Sequence, residues 1–409
     1  MPESSPDVTS TDGRARLRPP RVTIVGGGPA GAAMSLALAA HAVPALVLER
    51  EATPRPKPGE CLSSGFKRLL ARLGVADLLE SGAHRPFPAM TSAWELPEPH
   101  ERDLLFEADG EGWLLDRTAF ETRLAEAARA RGTLWRQGYQ VTRVAPLEQG
   151  GWRLTVDCAH GGLDLETDFV IDATGRSASV ARMMGIPRLR FDGLVGSWAL
   201  LAPEDGAEAP RARGGAIHIE AVRSGWWYAA RLADGCLSVV RFADRALLNP
   251  GAFLEALHET RQVSAMLEGR AFRLVRPPTA HPAHSARLAE PCGPGWFAIG
   301  DAAASFDPLS SYGIGSALGT GFYAAQALLS VWEGNDTGYD TYRYLVERRY
   351  QRYLDYLRER YRAVTRWPDE PFWRQRSELR SSAGGAVRGG TDGKTEQEEP
   401  QRGEHREAQ

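Results

Sequence analysis

Lysine is scarce in this chain of 409 residues. Only Lys57, Lys67 and Lys394 occur, so arginine supplies nearly all of the positive charge. A guanidinium stays protonated and cannot act as a nucleophilic amine. Any chemistry that requires an amine is therefore limited to three positions.

Cysteine is also scarce. Cys61, Cys158, Cys236 and Cys292 lie far apart and form no C-x-x-C pair, which argues against a zinc site or a disulfide framework. We therefore expect no metal centre, and a reducing cytoplasm is the simplest location.

Several partner classes are disfavoured by charge and hydropathy. A formal net charge of -3 provides no broad basic surface for nucleic acid. Glycines and two prolines interrupt the uncharged stretch 22–48, which favours a strand–helix–strand unit over a membrane span. Residues 1–20 are polar without an apolar signal core, and residues 381–409 are mostly polar and glycine-rich. Both termini are predicted to be disordered.

A glycine turn separates a short apolar run from an alanine-rich segment. Gly26, Gly28 and Gly31 follow the apolar run, Pro29 suits the first turn of a helix, and Glu49 ends the next apolar segment. This spacing is typical of the dinucleotide-binding unit, in which the acidic residue binds a ribose. The free amides and the positive end of the helix would stabilise a pyrophosphate.

The order of the remaining signals predicts an α/β protein with an inserted sheet. Between residues 189 and 288 the pattern alternates, with hairpin signals at Ser224-Gly225 and Asp234-Gly235. We therefore predict a mostly antiparallel sheet between two parts of a nucleotide-binding domain. The predicted units are 21–188 (first part, with helical and β insertions), 189–288 (β-sheet substrate domain), 289–335 (second part) and 336–380 (C-terminal helical segment).

Two further motifs accompany the glycine turn. They are Asp172-Ala-Thr-Gly175 at the end of a predicted strand, and residues 300–314, which read Gly-Asp-Ala-Ala-Ala-Ser-Phe-Asp-Pro-Leu-Ser-Ser-Tyr-Gly-Ile. Together the three motifs resemble the FAD-dependent monooxygenases of the p-hydroxybenzoate hydroxylase fold, within the branch shared with tryptophan halogenases. The resemblance implies a Rossmann-like FAD-binding domain of the glutathione reductase type 2.

The resemblance also implies which residues contact FAD. The glycine turn would cradle the pyrophosphate, Glu49 would hold the adenosine ribose, Val141 would lie beside the adenine, and Arg117 would reach the flavin. A helix that starts beneath the isoalloxazine would stabilise negative charge on the reduced ring. The full predicted set is Gly26, Gly28, Pro29, Ala30, Gly31, Glu49, Arg50, Arg117, Val141, Gly300, Asp301, Pro308, Gly313 and Ile314.

Five short motifs carry a narrower likeness. They are Lys57-Pro-Gly-Glu60, Thr91-Ser-Ala-Trp94, Gly112-Trp-Leu-Leu-Asp-Arg117, Gly225-Trp-Trp-Tyr228 and Phe306-Asp-Pro-Leu-Ser-Ser311. The set resembles halogenase-related flavoproteins that mature quinone cofactors by oxygenating a tryptophan side chain within a partner protein. It implies a peptide or protein as one candidate substrate.

The chain departs from the pattern of flavin halogenases. Those enzymes carry a G-W-x-W-x-I motif and a lysine that relays oxidised halide. Here Tyr228 stands where the second tryptophan belongs and Ala230 where the isoleucine belongs, and residues 84–90, where the lysine is expected, contain none. Lys57 belongs to the predicted flavin loop, and Lys67 lies on a predicted helix. Halogenation therefore ranks second.

The leading prediction is an FAD-dependent monooxygenase that inserts oxygen, through a flavin hydroperoxide, into an aromatic group of tryptophan type. It would use O2, with electrons from NAD(P)H or from a separate flavin reductase, because a second nucleotide-binding motif is not found in the sequence. A reductase resembling geranylgeranyl reductases and a non-enzymatic FAD-binding module are further alternatives. No catalytic residue is assigned. The aromatic residues considered for the substrate pocket, with core packing as the alternative, are Trp94, Trp226, Trp227, Tyr228 and Tyr312.

Overall fold

The computed structural model describes residues 15–17, 21–80, 82–104, 110–204, 216–268 and 271–378. Its helices are α1 Pro29–Ala39, α2 Lys67–Arg72, α3 Arg117–Ala130, α4 Ser179–Met183, α5 Phe253–Ala256, α6 Gln262–Ala265, α7 Gly313–Trp332, α8 Thr337–Arg362 and α9 Pro371–Ser377. Its strands are β1 Ala15–Leu17, β2 Val22–Val25, β3 Ala45–Glu49, β4 Cys61–Leu62, β5 Arg85–Phe87, β6 Ala89–Ala93, β7 His100–Asp103, β8 Gly112–Leu114, β9 Leu134–Gln137, β10 Gln140–Pro146, β11 Trp152–Cys158, β12 Gly161–Thr167, β13 Phe169–Asp172, β14 Arg188–Arg190, β15 Leu194–Pro203, β16 Ile217–Val222, β17 Gly225–Arg231, β18 Leu237–Asp244, β19 Phe272–Pro282, β20 Ala286–Leu288, β21 Cys292–Gly293, β22 Trp296–Ala298 and β23 Ala304–Ser305.

The two termini that were predicted to be disordered lie mostly outside the described residues. The exception is β1, which pairs in parallel with residues 163–165 of β12. The prediction of disorder is therefore wrong for residues 15–17. Residues 381–409, including Lys394, lie outside the described ranges.

A six-stranded sheet forms the nucleotide-binding part, with the order β21-β22-β13-β2-β3-β9. All neighbours in it pair in parallel except β21 and β22. Strand β2 is buried along its whole length, as expected for a parallel strand covered on both faces. Helix α1 packs closely on α7, since a Cβ added to Gly321 would lie 2.4 Å from the carbonyl oxygen of Ala30. The predicted strand, helix and strand of the glycine unit are confirmed.

A seven-stranded sheet forms the second layer, with the order β19-β15-β18-β17-β16-β6-β7. It is antiparallel except for the pairing of β16 with β6, so the predicted inserted antiparallel sheet is present. Two of its strands, β6 and β7, come from residues 89–103, within the segment assigned to the nucleotide domain. The sequence did not predict that these strands join this sheet, because a parallel pairing over a long sequence separation leaves no hairpin signal.

Helix α8 packs its tyrosine stripe into the core, as the sequence predicted. Tyr342, Tyr350, Tyr353 and Tyr361 are all buried. The hydroxyl of Tyr353 accepts a hydrogen bond from the backbone N–H of Asp307 at 2.7 Å. The hydroxyl of Tyr361 donates to Asp307 Oδ2 at 2.8 Å. The stripe therefore anchors the loop that precedes α7.

Helix α7 is the one described helix that is long and apolar enough to cross a bilayer. Buried residues make up 61% of its apolar window, and core helices of soluble proteins share this composition. We regard the feature as weak evidence for a membrane span.

The buried carboxyl group of Asp307 should make stability depend on pH. Burial, aided by Asp192, raises the pKa of Asp307 to about 7, whereas an unfolded aspartate has a pKa of about 4. Between these values the folded state holds a proton that the unfolded chain has lost, so stability falls as pH rises through this window. Each displaced pKa unit corresponds to about 1.4 kcal/mol.

We expect Asp307→Asn to remove this dependence, because the amide does not ionise. Thermal unfolding midpoints of both proteins should diverge in favour of the variant as pH rises from about 4 to about 7. Parallel curves over this range would contradict the raised pKa.

Candidate active site

A cavity of about 940 Å³ opens between the two sheets. Its floor includes the carboxyl ends of the parallel strands β2 and β3, and its opposite wall is a face of the seven-stranded sheet. The crevice outside the carboxyl ends of parallel strands is where α/β folds bind nucleotides. The cavity therefore has a nucleotide end and an aromatic end.

The glycines of the turn have different structural tasks. A Cβ on Gly28 would meet no atom within 4 Å, so this position faces open space in the cavity. Gly26 has φ of +113°, and a Cβ there would lie 2.2 Å from the carbonyl oxygen of Ala173. A Cβ on Gly31 would lie 2.1 Å from the carbonyl oxygen of Gly26. Gly28 thus leaves room for a pyrophosphate, and the other two permit close backbone packing.

Glu49 lies at the end of β3 and borders the cavity. Its carboxylate accepts hydrogen bonds from the backbone N–H groups of Gly27 at 2.7 Å and Glu51 at 2.9 Å. These bonds fix the carboxylate and leave acceptor capacity for a ribose hydroxyl. The geometry fits the predicted role of Glu49 in holding the adenosine ribose.

Arg117 begins α3 and ties the loop before β4 to the cavity. Its guanidinium donates to the carbonyl oxygens of Pro58 at 3.2 Å and Gly59 at 2.8 Å, and it forms an ion pair with Glu121. Its Nε is buried and has no partner among the described residues. An uncompensated buried donor beside a cavity suits contact with a bound group.

Asp301 borders the cavity beside two arginines. Its carboxylate lies 3.4 Å from Nε of Arg176, which also donates to the carbonyl oxygens of His284 at 2.7 Å and Phe306 at 2.6 Å. Arg188 donates to the carbonyl oxygen of Asp301 at 2.9 Å. A positive charge therefore lies against the carboxylate that the resemblance places near the ribityl and pyrophosphate groups, and a second arginine holds its backbone.

The Asp172-Ala-Thr-Gly175 motif holds the cavity wall in place. Asp172 is fully buried and accepts hydrogen bonds from Thr174 N at 3.0 Å, Thr174 Oγ1 at 2.6 Å and Ala181 N at 2.8 Å. These bonds join the end of β13 to α4. Arg176, which directly follows the motif, is a cavity residue that sequence reasoning missed.

Most of the predicted cofactor residues border the cavity, although their contacts with FAD stay predictions. Gly31 and Gly300 do not border it. Gly300 instead packs against α1, since a Cβ there would lie 2.8 Å from Cβ of Ala30. The residues that do are Gly26, Gly28, Pro29, Ala30, Glu49, Arg50, Arg117, Val141, Asp301, Pro308, Gly313 and Ile314.

Only two of the five predicted pocket aromatics, Trp226 and Tyr228, border the cavity. Trp227 points to the other face of the sheet, where it is buried and contacts Phe253 with ring centroids 5.2 Å apart. Successive side chains of a strand alternate between faces, so Trp227 was wrongly assigned to the pocket.

Trp94 and Tyr312 also lie outside the cavity lining. Trp94 is buried, and its Nε1 donates to the carbonyl oxygen of Arg360 at 2.7 Å. The ring of Tyr312 contacts Phe306 with centroids 6.0 Å apart, and the guanidinium of Arg349 lies over it. Both side chains therefore pack against the core, which was the alternative prediction.

The aromatic end contains residues that the sequence did not single out. They include Met90, Trp198 and Phe242, whose ring stacks on Trp226 at a centroid distance of 4.0 Å. Trp226 and Phe242 are directly opposite each other on β17 and β18, so the cross-strand register brings them together.

Comparison with known proteins identifies the family. Residues 97–386 match the sequence profile of the family described as tryptophan halogenase. This chain belongs to that family.

Two proteins with sequences similar to this chain are named for different activities. The putative FAD-dependent oxidoreductase LodB of Marinomonas mediterranea is 31% identical over 86% of this chain and 95% of that protein. A 1H-pyrrole-2-carbonyl peptidyl-carrier-protein chlorinase of Pseudomonas fluorescens is 26% identical over 77% of each chain. The family and these relatives show that this chain is an FAD-dependent oxidoreductase.

Two solved structures share the fold. The flavin-dependent halogenase CmlS has a TM-score of 0.78 and 25% identity, covering 88% of this chain and 68% of its own. The peptidyl tryptophan dihydroxylase QhpG has a TM-score of 0.68 and 23% identity, covering 88% and 79%. The names across the family favour halogenation, which the sequence ranked second, over oxygen insertion.

Lys57 and Lys67 are the lysines among the described residues, and one of them borders the cavity. Lys57 borders the cavity, but its Nζ pairs with Glu121 Oε2 at 2.7 Å. Although burial opposes it, the charges of Arg117 and Lys57 hold the pKa of Glu121 below its usual value. Lys67 is exposed on α2. Met90, from the segment where the halogenase lysine was expected, borders the cavity instead.

The glycine turn gives a test of FAD placement. We expect Gly28→Val to fold normally and to lose bound FAD, because its side chain would occupy open space where the pyrophosphate is predicted. Gly26→Ala should instead prevent folding, since its Cβ would overlap the Ala173 carbonyl. Flavin absorbance per protein and thermal unfolding measure both effects. A fully yellow Gly28→Val protein would refute the placement.

Proposed function

We propose that this chain is an FAD-dependent monooxygenase that inserts oxygen into an aromatic ring bound at the aromatic end of the cavity. The supporting observation is the chemistry of that end. Among the described residues, the one lysine that borders the cavity is Lys57, whose charge is compensated by Glu121. Met90 is a thioether and cannot carry oxidised halide as an amine would.

The residues at this end are suited to enclosing an aromatic ring. Ile217, Ile219, Trp226 and Phe242 provide apolar surface on neighbouring strands, and large aromatic side chains pack favourably against an aromatic ligand. When bound, FAD supplies the two electrons and the activation of O2. The protein contributes orientation and the exclusion of water, which protects a reactive oxidant.

The substrate we propose is a tryptophan-like ring, free or carried by a peptide or protein. Support for a carried substrate comes from the names of two similar proteins, a peptidyl tryptophan dihydroxylase and a carrier-protein chlorinase. Electrons would come from NAD(P)H or from a separate reductase. A cytoplasmic location agrees with this reductive chemistry.

Halogenation is the second candidate, and the family comparisons favour it. Among the described residues, Lys57 is the amine at the cavity that it would use, after the ion pair with Glu121 is broken. Because the two mechanisms differ in their need for an amine, one substitution separates them. Lys57→Arg keeps the positive charge opposite Glu121 but removes the amine.

The test supplies reduced, FAD-loaded protein with oxygen-18 gas, bromide, and both free tryptophan and a tryptophan-containing peptide. Mass spectrometry should detect oxygen-18 in a product, and Lys57→Arg should retain this activity within about tenfold because the charge is preserved. Lys67→Arg is the matched control on an exposed helix. A brominated product without oxygen-18, abolished in Lys57→Arg only, would establish halogenation instead.

A further inference from the structure

A buried chain of hydrogen bonds runs behind the aromatic end of the cavity. Nε1 of Trp198 donates to Oγ of Ser238 at 2.9 Å, and the Ser238 hydroxyl donates to Oε1 of Glu60 at 2.6 Å. Glu60 is 3% exposed. One oxygen of this carboxyl group is therefore held in a fixed position by the sheet.

The second carboxyl oxygen has no partner in the described part of the chain, and on the same face of β17 as Tyr228 lies Ala230, directly opposite the Ser238 that holds Glu60. Oε2 of Glu60 and the hydroxyl of Tyr228 are both buried, and neither has a hydrogen-bond partner among the described residues. Burial raises the pKa of the Tyr228 phenol, and the charge of Glu60 raises it further. A buried acceptor and a buried donor are therefore each unsatisfied.

An unsatisfied buried polar group destabilises the protein. A hydrogen bond from the Tyr228 hydroxyl to Glu60 Oε2 would satisfy both atoms. Catalytic hydrogen bonds are often open without a ligand and close in the complex. Tyr228 borders the cavity, whereas Glu60 lies behind it, so a cavity ligand would contact Tyr228 first.

Oxygen insertion into a ring requires a proton acceptor. One atom of O2 bonds to the ring carbon, the other leaves as water, and reduced FAD supplies two electrons. The hydrogen on that carbon leaves as a proton, and its bonding electrons stay in the ring. The reaction therefore needs a group near the ring that takes up one proton.

We propose that Tyr228 and Glu60 form the proton acceptor for the aromatic substrate. The Tyr228 oxygen takes the proton from the ring as its own hydroxyl proton passes to Glu60 Oε2, so Glu60 ends neutral. Tyr228 contacts the substrate, and Glu60 acts through it. This inference rests on the proposed oxygen insertion.

The surroundings suit Glu60 to this role. Burial raises its pKa, while the Ser238 hydrogen bond and the charge of Arg117 oppose the shift. A carboxyl group with a raised pKa holds a proton more readily near neutrality. The adjacent Cys61 is also titratable, and burial raises the pKa of that thiol to about 12.

The test uses 4-nitrophenol as a probe of the oxidised holoenzyme, so no turnover is needed. Phenol and phenolate forms absorb differently, which reports where the proton lies. If the bound probe shares a proton with Glu60, its phenolate absorbance should rise with pH in two steps, because strongly coupled groups titrate together. Glu60→Gln should give a single step that reaches full phenolate without a plateau, because the probe then has no coupled acid.

Three further proteins separate proton sharing from a structural role. Glu60→Asp should restore two steps, and Tyr228→Phe should weaken the coupling. Tyr350→Phe is the matched control. Its hydroxyl is also buried and has no hydrogen-bond partner among the described residues, but Tyr350 does not border the cavity. Flavin content and thermal midpoints confirm that each variant is folded.

A single step in the unaltered protein, or two unchanged steps in Glu60→Gln, would overturn the inference. So would failure of the holoenzyme to bind the probe, because the pair would then not face an aromatic site. These outcomes leave the oxygen-18 experiment unaffected, and failure of that experiment leaves the probe titration intact.

Discussion

The rest of the structure depends on close backbone packing at the end of β2, which requires glycine at positions 26 and 31. The atoms that a Cβ would meet at Gly26 and Gly31 are carbonyl oxygens little more than 2 Å away. Without side chains there, β2, β13 and α1 converge, and the carboxyl ends of the strands open into a cavity. Glu49 and the segment anchored by Asp172 take their positions from this convergence.

A second constraint joins the loop that precedes α7 to the aromatic wall, which is the face of the seven-stranded sheet at the aromatic end of the cavity. Nε1 of Trp226 donates to the hydroxyl of Tyr361 at 3.1 Å, which in turn donates to Asp307. Tyr353 holds the backbone of the same loop. The tyrosine stripe of α8 is thus both apolar packing and a hydrogen-bonded scaffold, so the loop and the wall keep a fixed relative position.

The sequence predicted the parts of the site that are encoded locally. The turn, α1 and Glu49 fall within about thirty residues, the length of one strand–helix–strand unit with a strong spacing rule. The aromatic wall was predicted less well because it depends on tertiary pairing. Strand alternation shows that Trp226 and Trp227 face opposite ways, but not which of them meets the cavity. Met90 joins the wall because β6 pairs in parallel with β16, where Met90 is opposite Ile217. No local sequence pattern predicts this pairing.

The departures from the halogenase pattern cluster in one region of the sheet. Tyr228 and Ala230 share a face of β17, and Ala230 lies directly opposite Ser238 on β18, whose hydroxyl holds Glu60. These strands are separate in sequence from the motifs of the nucleotide end. Chemistry at the aromatic wall can therefore change while the FAD-binding framework is retained, as expected when function resides in a site carried by a shared fold. In this family member, Tyr228 stands where the halogenase pattern has an indole, and Met90 comes from the segment where that pattern has an amine.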